Sequence, residues 1–544
     1  MATPRPDRNR FAPLLLGLSA LAGVGWWLLT HEDISSTAHA IWLSCAIALG
    51  LALERSAWGQ RVTGRRVLIA VMALVCAATL YLRGQDKVPK LARGEFMQGW
   101  NVYHYYMGSK YFDELGYFGL YKYTFLADRE DRNVLRKVRK TRDLHDYRWV
   151  PVQGEIDSIE TNGFSPARWS AFKRDLGDVF DLTRRRTARR MVTDLGYNAT
   201  PFGHLVFSTL SSRLSLGDVV ERTVLLSLDW VILIPAFFVF GRAFGGVRAF
   251  AFVGCFMLFF GATPFHFGGM LRFFWLATVL VGISCYKLGH YKTAGFAFAL
   301  AVAERVFPVF FLVGPALHVA WSWFRTKRLP HGRVNFAASF LAGLTLCFAL
   351  TLTGGRGLRD WREFGENMFH HADFQYLVEK KFGVKRIFSH DFGADKQPHS
   401  ADKARKRRIF REQETYYRLT LIALLGCVVI IYVASDEGNS MLVGMIPAFV
   451  LEDISKYYLV LWFLLFCMGP PLFRSRYKYA VFDVTVVGLI PAYYLLSQHT
   501  KSAMNLYTSA NFYMVATVVG LTALLLGELR RRRRAPNRSE TPAT

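Results

Sequence analysis

Apolar runs separated by short basic turns fill most of this chain, and two long polar stretches, 83–222 and 354–416, interrupt them. Runs at 12–29, 39–54, 66–82, 223–241, 249–261, 270–286, 294–304, 307–323, 335–353, 417–434, 440–451, 456–469, 480–496 and 511–528 predict apolar helices, about fourteen in all. A spanning helix needs roughly 17–25 apolar residues, so the shorter runs require kinks or a thinned bilayer. The pattern predicts an all-α polytopic membrane protein with about 12–14 transmembrane helices. Its parts are N-terminal transmembrane helices (1–82), a loop with an interfacial helix (83–222), a central bundle (223–353), a second loop (354–416), C-terminal transmembrane helices (417–529) and a basic tail (530–544).

Composition narrows the function classes. With 52% hydrophobic residues in 544, a soluble multidomain enzyme is excluded. A net charge of +26 would suggest nucleic acid in a soluble protein. Here it is divided among short turns, the tail and the two loops, so anionic headgroups and phosphorylated lipids are the expected partners, and nucleic acid is not. The seven cysteines all fall in apolar runs, where they act as small hydrophobes. Neither a disulfide framework nor a cysteine metal site is expected.

Basic turns set the expected sidedness. Arg55, Arg61, Arg65 and Arg66, then Arg242 and Arg248, Lys287 and Lys292, Arg325, Lys327 and Arg328, Arg474, Arg476 and Lys478, and the arginine tail fall on one face when the runs alternate. That face is expected to be cytoplasmic and to hold both termini, with the two long loops outside. Lys403, Arg405, Lys406, Arg407, Arg408 and Arg411 stand against this, just before an apolar run; long loops obey the rule weakly, so they stay outside. Arg5, Arg8 and Arg10 precede the first run, and Trp26, Trp27 and Thr30-His31-Glu32 follow it where a cleavage site would need small residues. The first run therefore reads as a retained anchor.

Against this background a few charges stand out. Ala303-Glu304-Arg305-Val306-Phe307-Pro308 plants an ion pair inside a long apolar stretch, Arg272 opens a run, and Glu452, Asp453 and Lys456 precede Tyr457 and Tyr458 at a second break. Asp229 adds an acid at similar depth. Charges at membrane depth are costly and usually functional, although each alone could snorkel to water. With the runs as counted, Arg272, Arg305 and Lys456 meet at one leaflet beneath the long loops.

The first loop opens with Glu95 and continues through Asn101, Tyr103, His104, Tyr106, Lys110, Asp113, Glu114 and Tyr117. At helical spacing the tyrosines, Lys110 and the acids share a face, which predicts an amphipathic helix in the membrane interface. Asn198-Ala199-Thr200 matches a glycosylation acceptor and is read as chance.

These pieces together resemble the GT-C superfamily of membrane glycosyltransferases. The resemblance rests on an early outer loop bearing acids, an interfacial helix of the Tyr-Tyr-x-x-Ser-Lys-Tyr-Phe-x-Glu-Leu-Gly-Tyr kind, the Arg272 helix start and the Arg305-Val306-Phe307-Pro308 turn. It covers most of the chain in architecture and only these short motifs in sequence, and it is closest to a mannosyltransferase-like branch. Three spans precede the acidic loop, two more than the family usually has, and Asn101 stands where the family's catalytic aspartate is expected. The resemblance implies a GT-C-like bundle with outer-face interfacial helices. It further implies transfer of a sugar, mannose being the first to test, from a polyprenyl-phosphate carrier to a glycan, lipid or protein acceptor outside a bacterial inner membrane.

That chemistry needs an acid to take the acceptor's proton and cations to hold the leaving phosphate. Glu95 is the first candidate base, with Asp113 and Glu114 behind it. His104, Tyr106, Lys110, Arg272, Glu304, Arg305, His370, His371, Lys456 and Tyr457 are the candidate substrate-binding residues. No cofactor is required, and a divalent metal, though compatible with the chemistry, has no ligand set at suitable spacing. Gly354-Gly355-Arg356-Gly357 lacks the strand and helix a nucleotide loop needs. The competing reading is a lipid or glycan transporter or flippase, in which the same charges would line a path; it predicts internal repeats, and none is visible.

Overall fold

The computed structural model describes residues 36–159, 163–354, 356–374, 378, 380–392, 403–470, 472–500 and 502–534. The run at 12–29, expected to be an anchor, lies outside them. The bundle helices in chain order are α1 (Ser36–Arg55), α2 (Val62–Gly84), α3 (Val219–Phe244), α4 (Gly246–Leu258), α5 (Phe274–Lys287), α6 (Tyr291–Glu304), α7 (Phe310–Thr326), α8 (His331–Thr353), α9 (Glu414–Ala434), α10 (Arg476–His499) and α11 (Ala503–Arg534). Eight of these (α1, α2, α3, α7, α8, α9, α10 and α11) are long and apolar enough to cross a membrane. The chain is thus a multi-pass, all-α membrane protein. Helices α4 and α5 and the 3₁₀ helix Lys456–Cys467 are shorter apolar rods. They can sit at membrane depth because longer helices surround them; Trp275, Leu280, Phe463 and Leu464 are fully buried.

Two ends of the bundle are held by different bonds. At one, Arg55 Nε meets Asp483 at 2.7 Å, and its Nη2 donates to the carbonyls of Phe466 and Met468, each at 3.0 Å. Arg248 pairs with Glu54 at 3.0 Å and also reaches the Cys467 carbonyl. The last carbonyls of the 3₁₀ helix have no partner within it, so these guanidiniums complete its C-terminal end and suit its dipole. Lys478 and Glu528 close the same end. At the opposite end Arg83 bonds Tyr494 and Gln498 bonds Thr37. The long polar stretches fold at that second end, away from the basic turns. The basic helix Lys403–Glu412 belongs there too, because Gln413 just after it donates to the His390 carbonyl, and His390 bonds Asn505 at the start of α11.

Breaking the Arg55–Asp483 pair should be costly. Asp483→Ala leaves a buried guanidinium uncompensated, a loss of about 3–5 kcal/mol, whereas exposed pairs such as Arg418–Glu414 are worth ~1 kcal/mol or less. The expected result is a clear drop in the thermal midpoint of the detergent-purified protein for Asp483→Ala and little change for Glu414→Ala. Equal midpoints would show that the clasp is not holding this end.

The first loop is a domain with its own core. Instead of an amphipathic helix lying on a surface, residues 99–115 form a broken helix with a π turn at Tyr103–Met107 whose residues 101–109 are all buried, while Asp113 near its end is exposed. The tyrosines that suggested an interfacial face are enclosed, each with a partner for its hydroxyl. Tyr103 bonds Thr124, Tyr106 the Leu214 carbonyl, Tyr111 Asp175, and Tyr117 the Ala199 carbonyl. Such bonds are the condition on which tyrosine can be buried, and periodicity alone could not distinguish a wet partner from a protein one.

The second loop docks on the first and on the bundle. Tyr147 donates to Asn367 at 2.6 Å, and Asn367 donates to the Tyr197 carbonyl. Lys381 and Phe382 pair antiparallel with Ser455 and Ile454, and Arg386 grips Asp453 at 2.5 Å.

Candidate functional site

Where the loop domain meets the bundle, a turn delivers Arg272. Gly268 has φ +71°, and a side chain there would run into the Phe96 ring. Leu271, immediately before Arg272, sits at φ +47°, a rare conformation for a bulky residue. Such backbone costs of order 1–3 kcal/mol and persists only when its surroundings over-determine it. Buried Asn101 accepts from the Met270 N–H at 2.7 Å, and buried Asp229 accepts from the Phe273 N–H at 2.7 Å. The strained turn is thus pinned on both sides of Arg272.

The Arg272 guanidinium lies between two rings, 4.7 Å from Phe265 and 4.2 Å from Tyr457. Among the described residues it has no ion-pair partner, and its Nε lacks a hydrogen bond. Arg305 is close enough to repel it.

Arg305 follows the last residue of α6, where the chain turns into the 3₁₀ segment Phe307–Val309. Pro308 removes a donor there, and the helix cannot simply continue. Its Nε is 3.0 Å from Glu304 Oε1, in ion-pair contact but without hydrogen-bond alignment, while Nη2 donates to Tyr105 at 2.7 Å. Tyr105 in turn donates to Asn198, and Thr200 donates to the Ala303 carbonyl. The residues of the apparent glycosylation acceptor therefore hold this apex to the loop domain. Glu304 is buried, and among the described residues its Oε2 has no hydrogen-bond partner.

The third wall is the start of the 3₁₀ helix. Gly261 lies so near the Lys456 carbonyl that an added methyl would sit 2.4 Å from it. The Tyr457 and Tyr458 rings meet at a tilt of 58° with centroids 4.3 Å apart, and Tyr458 packs on Phe307 at 4.1 Å. Lys381, held there by the short strand pair, has its ammonium pKa lowered chiefly by burial, and Lys456 lies beside the charge of Arg272. His371 has its imidazole pKa pushed down to about 4, by burial and then by Lys381 and Arg305, so it is neutral at pH 7, and among the described residues its Nδ1 has no hydrogen-bond partner. An apolar recess of about 300 Å³ opens beside the apex, lined by Thr200, Phe202, Ala303, Val306 and Leu344 among others.

The structure brings Arg272, Glu304, Arg305, Lys456, Tyr457 and His371 together. His370, next to His371, faces solvent. Glu95 is at an exposed edge, paired with exposed Arg93 at 3.0 Å. Asp113 is exposed, and Glu114 is held by Arg168 at 2.7 Å. None of these three acids contacts the cations of the cluster. His104 bonds the Trp100 carbonyl and Tyr121 through its two ring nitrogens, and Lys110 pairs with Asp175 at 2.8 Å and bonds Tyr106, so these three residues serve the loop core. Among the described residues no three His, Cys, Asp or Glu side chains gather to hold a metal ion. Lys381 and Tyr105 were not expected: one lies in a polar loop and the other in a tyrosine run, and only long-range pairing brings them here.

No family model, curated protein or solved structure matches this chain.

Proposed function

We propose that the chain is a membrane glycosyltransferase of the GT-C kind, taking a sugar from a polyprenyl-phosphate carrier at the loop-bearing end of the bundle. The observation that carries this reading is Arg272, a guanidinium largely enclosed by aromatic rings that takes part in no ion pair among the described residues. An enclosed charge of this kind is expensive unless something pairs with it, and a phosphate supplies both charge and bidentate geometry. Arg305, Lys381 and Lys456 add cations around it, and the apolar recess next to Arg305 suits the first isoprene units of the carrier.

In the reaction, the acceptor hydroxyl oxygen attacks the anomeric carbon as the bond from that carbon to the phosphate oxygen breaks. The acceptor proton passes to a carboxylate, and polyprenyl phosphate departs with its added negative charge against the cations. Glu304 is the acid the geometry favours: it lies against Arg305 with one carboxylate oxygen unbonded among the described residues, and no backbone turn depends on it. Asp229 is committed to the Arg272 turn and Asp453 to Arg386. Glu95, Asp113 and Glu114 would need to move to reach the same phosphate.

The deciding experiment incubates purified protein in proteoliposomes with a radiolabelled polyprenyl-phosphate sugar and follows the label. Transfer to an acceptor supports the reading; movement of intact lipid across the bilayer without transfer would replace it with a flippase. Orientation is tested separately. The loop-bearing end is expected to face outward, so a single cysteine at exposed Ser170 should react with a membrane-impermeant maleimide in intact cells. Labelling only after lysis would put the cluster on the cytoplasmic side.

A further inference from the structure

At the basic end of the bundle, α7 and α8 are joined by a short turn yet leave a groove of about 490 Å³ between them. Its walls include Leu312, Ala316 and Trp323 from α7 and Arg333, Ala337 and Leu341 from α8. These positions recur at helical spacing on both helices, so each presents one continuous face to the groove. Ala316, Ala337 and Leu341 are exposed, which means no part of the described chain fills the space. From Leu312 to Trp323 the α7 wall rises roughly 16 Å at 1.5 Å per residue, close to half of a ~30 Å hydrocarbon core.

The mouth of the groove is charged. Arg325, Lys327 and Arg328 are all exposed, and among the described residues none of them takes part in an ion pair. Arg325 stands over Trp321 at 5.0 Å and Lys327 over Trp323 at 4.8 Å, an aromatic–cation arrangement typical of the headgroup level. Lys327 is held at φ +53°, the left-handed cap of α7, which fixes where its side chain leaves the helix. Arg333, deeper in the groove, is neutralised by Glu437 at 2.6 Å, so the uncompensated charge is confined to the mouth.

We infer that this groove binds one anionic phospholipid of the adjoining leaflet, its acyl chain between α7 and α8 and its phosphate against Arg325, Lys327 and Arg328. The site is at the other end of the bundle from the Arg272–Arg305 cluster and does not rest on sugar transfer. Each basic residue near a membrane surface adds roughly fivefold to anionic-lipid affinity, so three should separate anionic from zwitterionic lipid clearly.

The test titrates the full-length protein, purified in neutral detergent, with phosphatidylglycerol or with phosphatidylcholine of the same chains, and counts adducts by native mass spectrometry. One saturable phosphatidylglycerol adduct is expected, at least tenfold tighter than the phosphatidylcholine adduct. R325Q/K327Q/R328Q should erase the preference. A316W or A337W, which fill the groove from exposed positions, should remove the adduct without shifting the thermal midpoint. Equal affinity for the two lipids overturns the proposal, as does an adduct that survives both tryptophan variants. So does a second protein chain retained in the groove, seen as a higher mass that A316W abolishes. Should the tryptophan variants fail to fold, the triple glutamine variant, confined to an exposed turn, still decides between these outcomes.

Discussion

Arg272→Ala should lose carrier-lipid binding and sugar transfer while remaining close to the parent protein in stability. The two halves of that result follow from one fact. Among the described residues the Arg272 guanidinium takes part in no ion pair, so removing it breaks none and relieves repulsion of Arg305, against the loss of its contacts with the Phe265 and Tyr457 rings and of its longer-range attraction to Glu304 and Asp229. The same group is expected to meet the phosphate as charge develops on it, and deleting one such donor typically costs on the order of a hundredfold to a thousandfold in rate. Arg305 differs because it is already paired. Arg305→Ala leaves Glu304 buried without its cation and should lower stability along with binding. Arg305→Lys keeps the pair as a point charge but not the forked contact with Tyr105 and phosphate, and should be impaired less than alanine. Lipid affinity measured on well-folded Arg272→Ala is the decisive number, and an unchanged affinity would return this arginine to a purely structural role.

A second large effect is expected at Glu304. Glu304→Gln preserves size and keeps a carbonyl oxygen facing Arg305, but it cannot take a proton from an acceptor hydroxyl. Loss of a general base commonly lowers turnover by roughly a hundredfold to ten-thousandfold. Glu95→Gln should be near normal, since Glu95 sits at an exposed edge with Arg93 and touches none of the site cations. The informative comparison is kcat for transfer in the two variants at saturating carrier lipid, with lipid binding measured in parallel. Retained turnover in Glu304→Gln together with loss in Glu95→Gln would require the loop edge to close over the cluster during catalysis, and would move the base back to the first loop.

The two acids show why the site was only partly legible from the chain. Glu95 drew attention by position, standing between the third run and a tyrosine-rich segment where a family likeness expects an acid. Position along the chain says nothing of which way a loop turns, and Glu95 folds back onto Lys90 and Arg93 instead of toward Arg272 and Arg305. The Arg272 and Arg305 signals survived folding because a charge inside an apolar run has few places to go. The tyrosines of 103–121 misled for a different reason. Their pattern of apolar bodies and polar tips is the same whether the tips meet water, headgroups or buried acceptors, and here Thr124, Asp175, Leu214 and Ala199 supply the acceptors.

The amino-acid sequence by itself determined that the chain is helical and repeatedly membrane-embedded, that its basic turns gather at one end, and that a few charges are held at depth. These follow from hydrophobic run length and from the cost of burying charge, both local properties. Only the tertiary structure decided that Arg305 pairs with Glu304 while Arg272 takes part in no ion pair among the described residues, that the first polar loop packs around its own core, and that Lys381 and His371 of the second loop join the cluster. Pairing and burial depend on partners far apart in the chain, such as Arg386 with Asp453 or Tyr105 with Arg305, and no local pattern encodes which partner arrives.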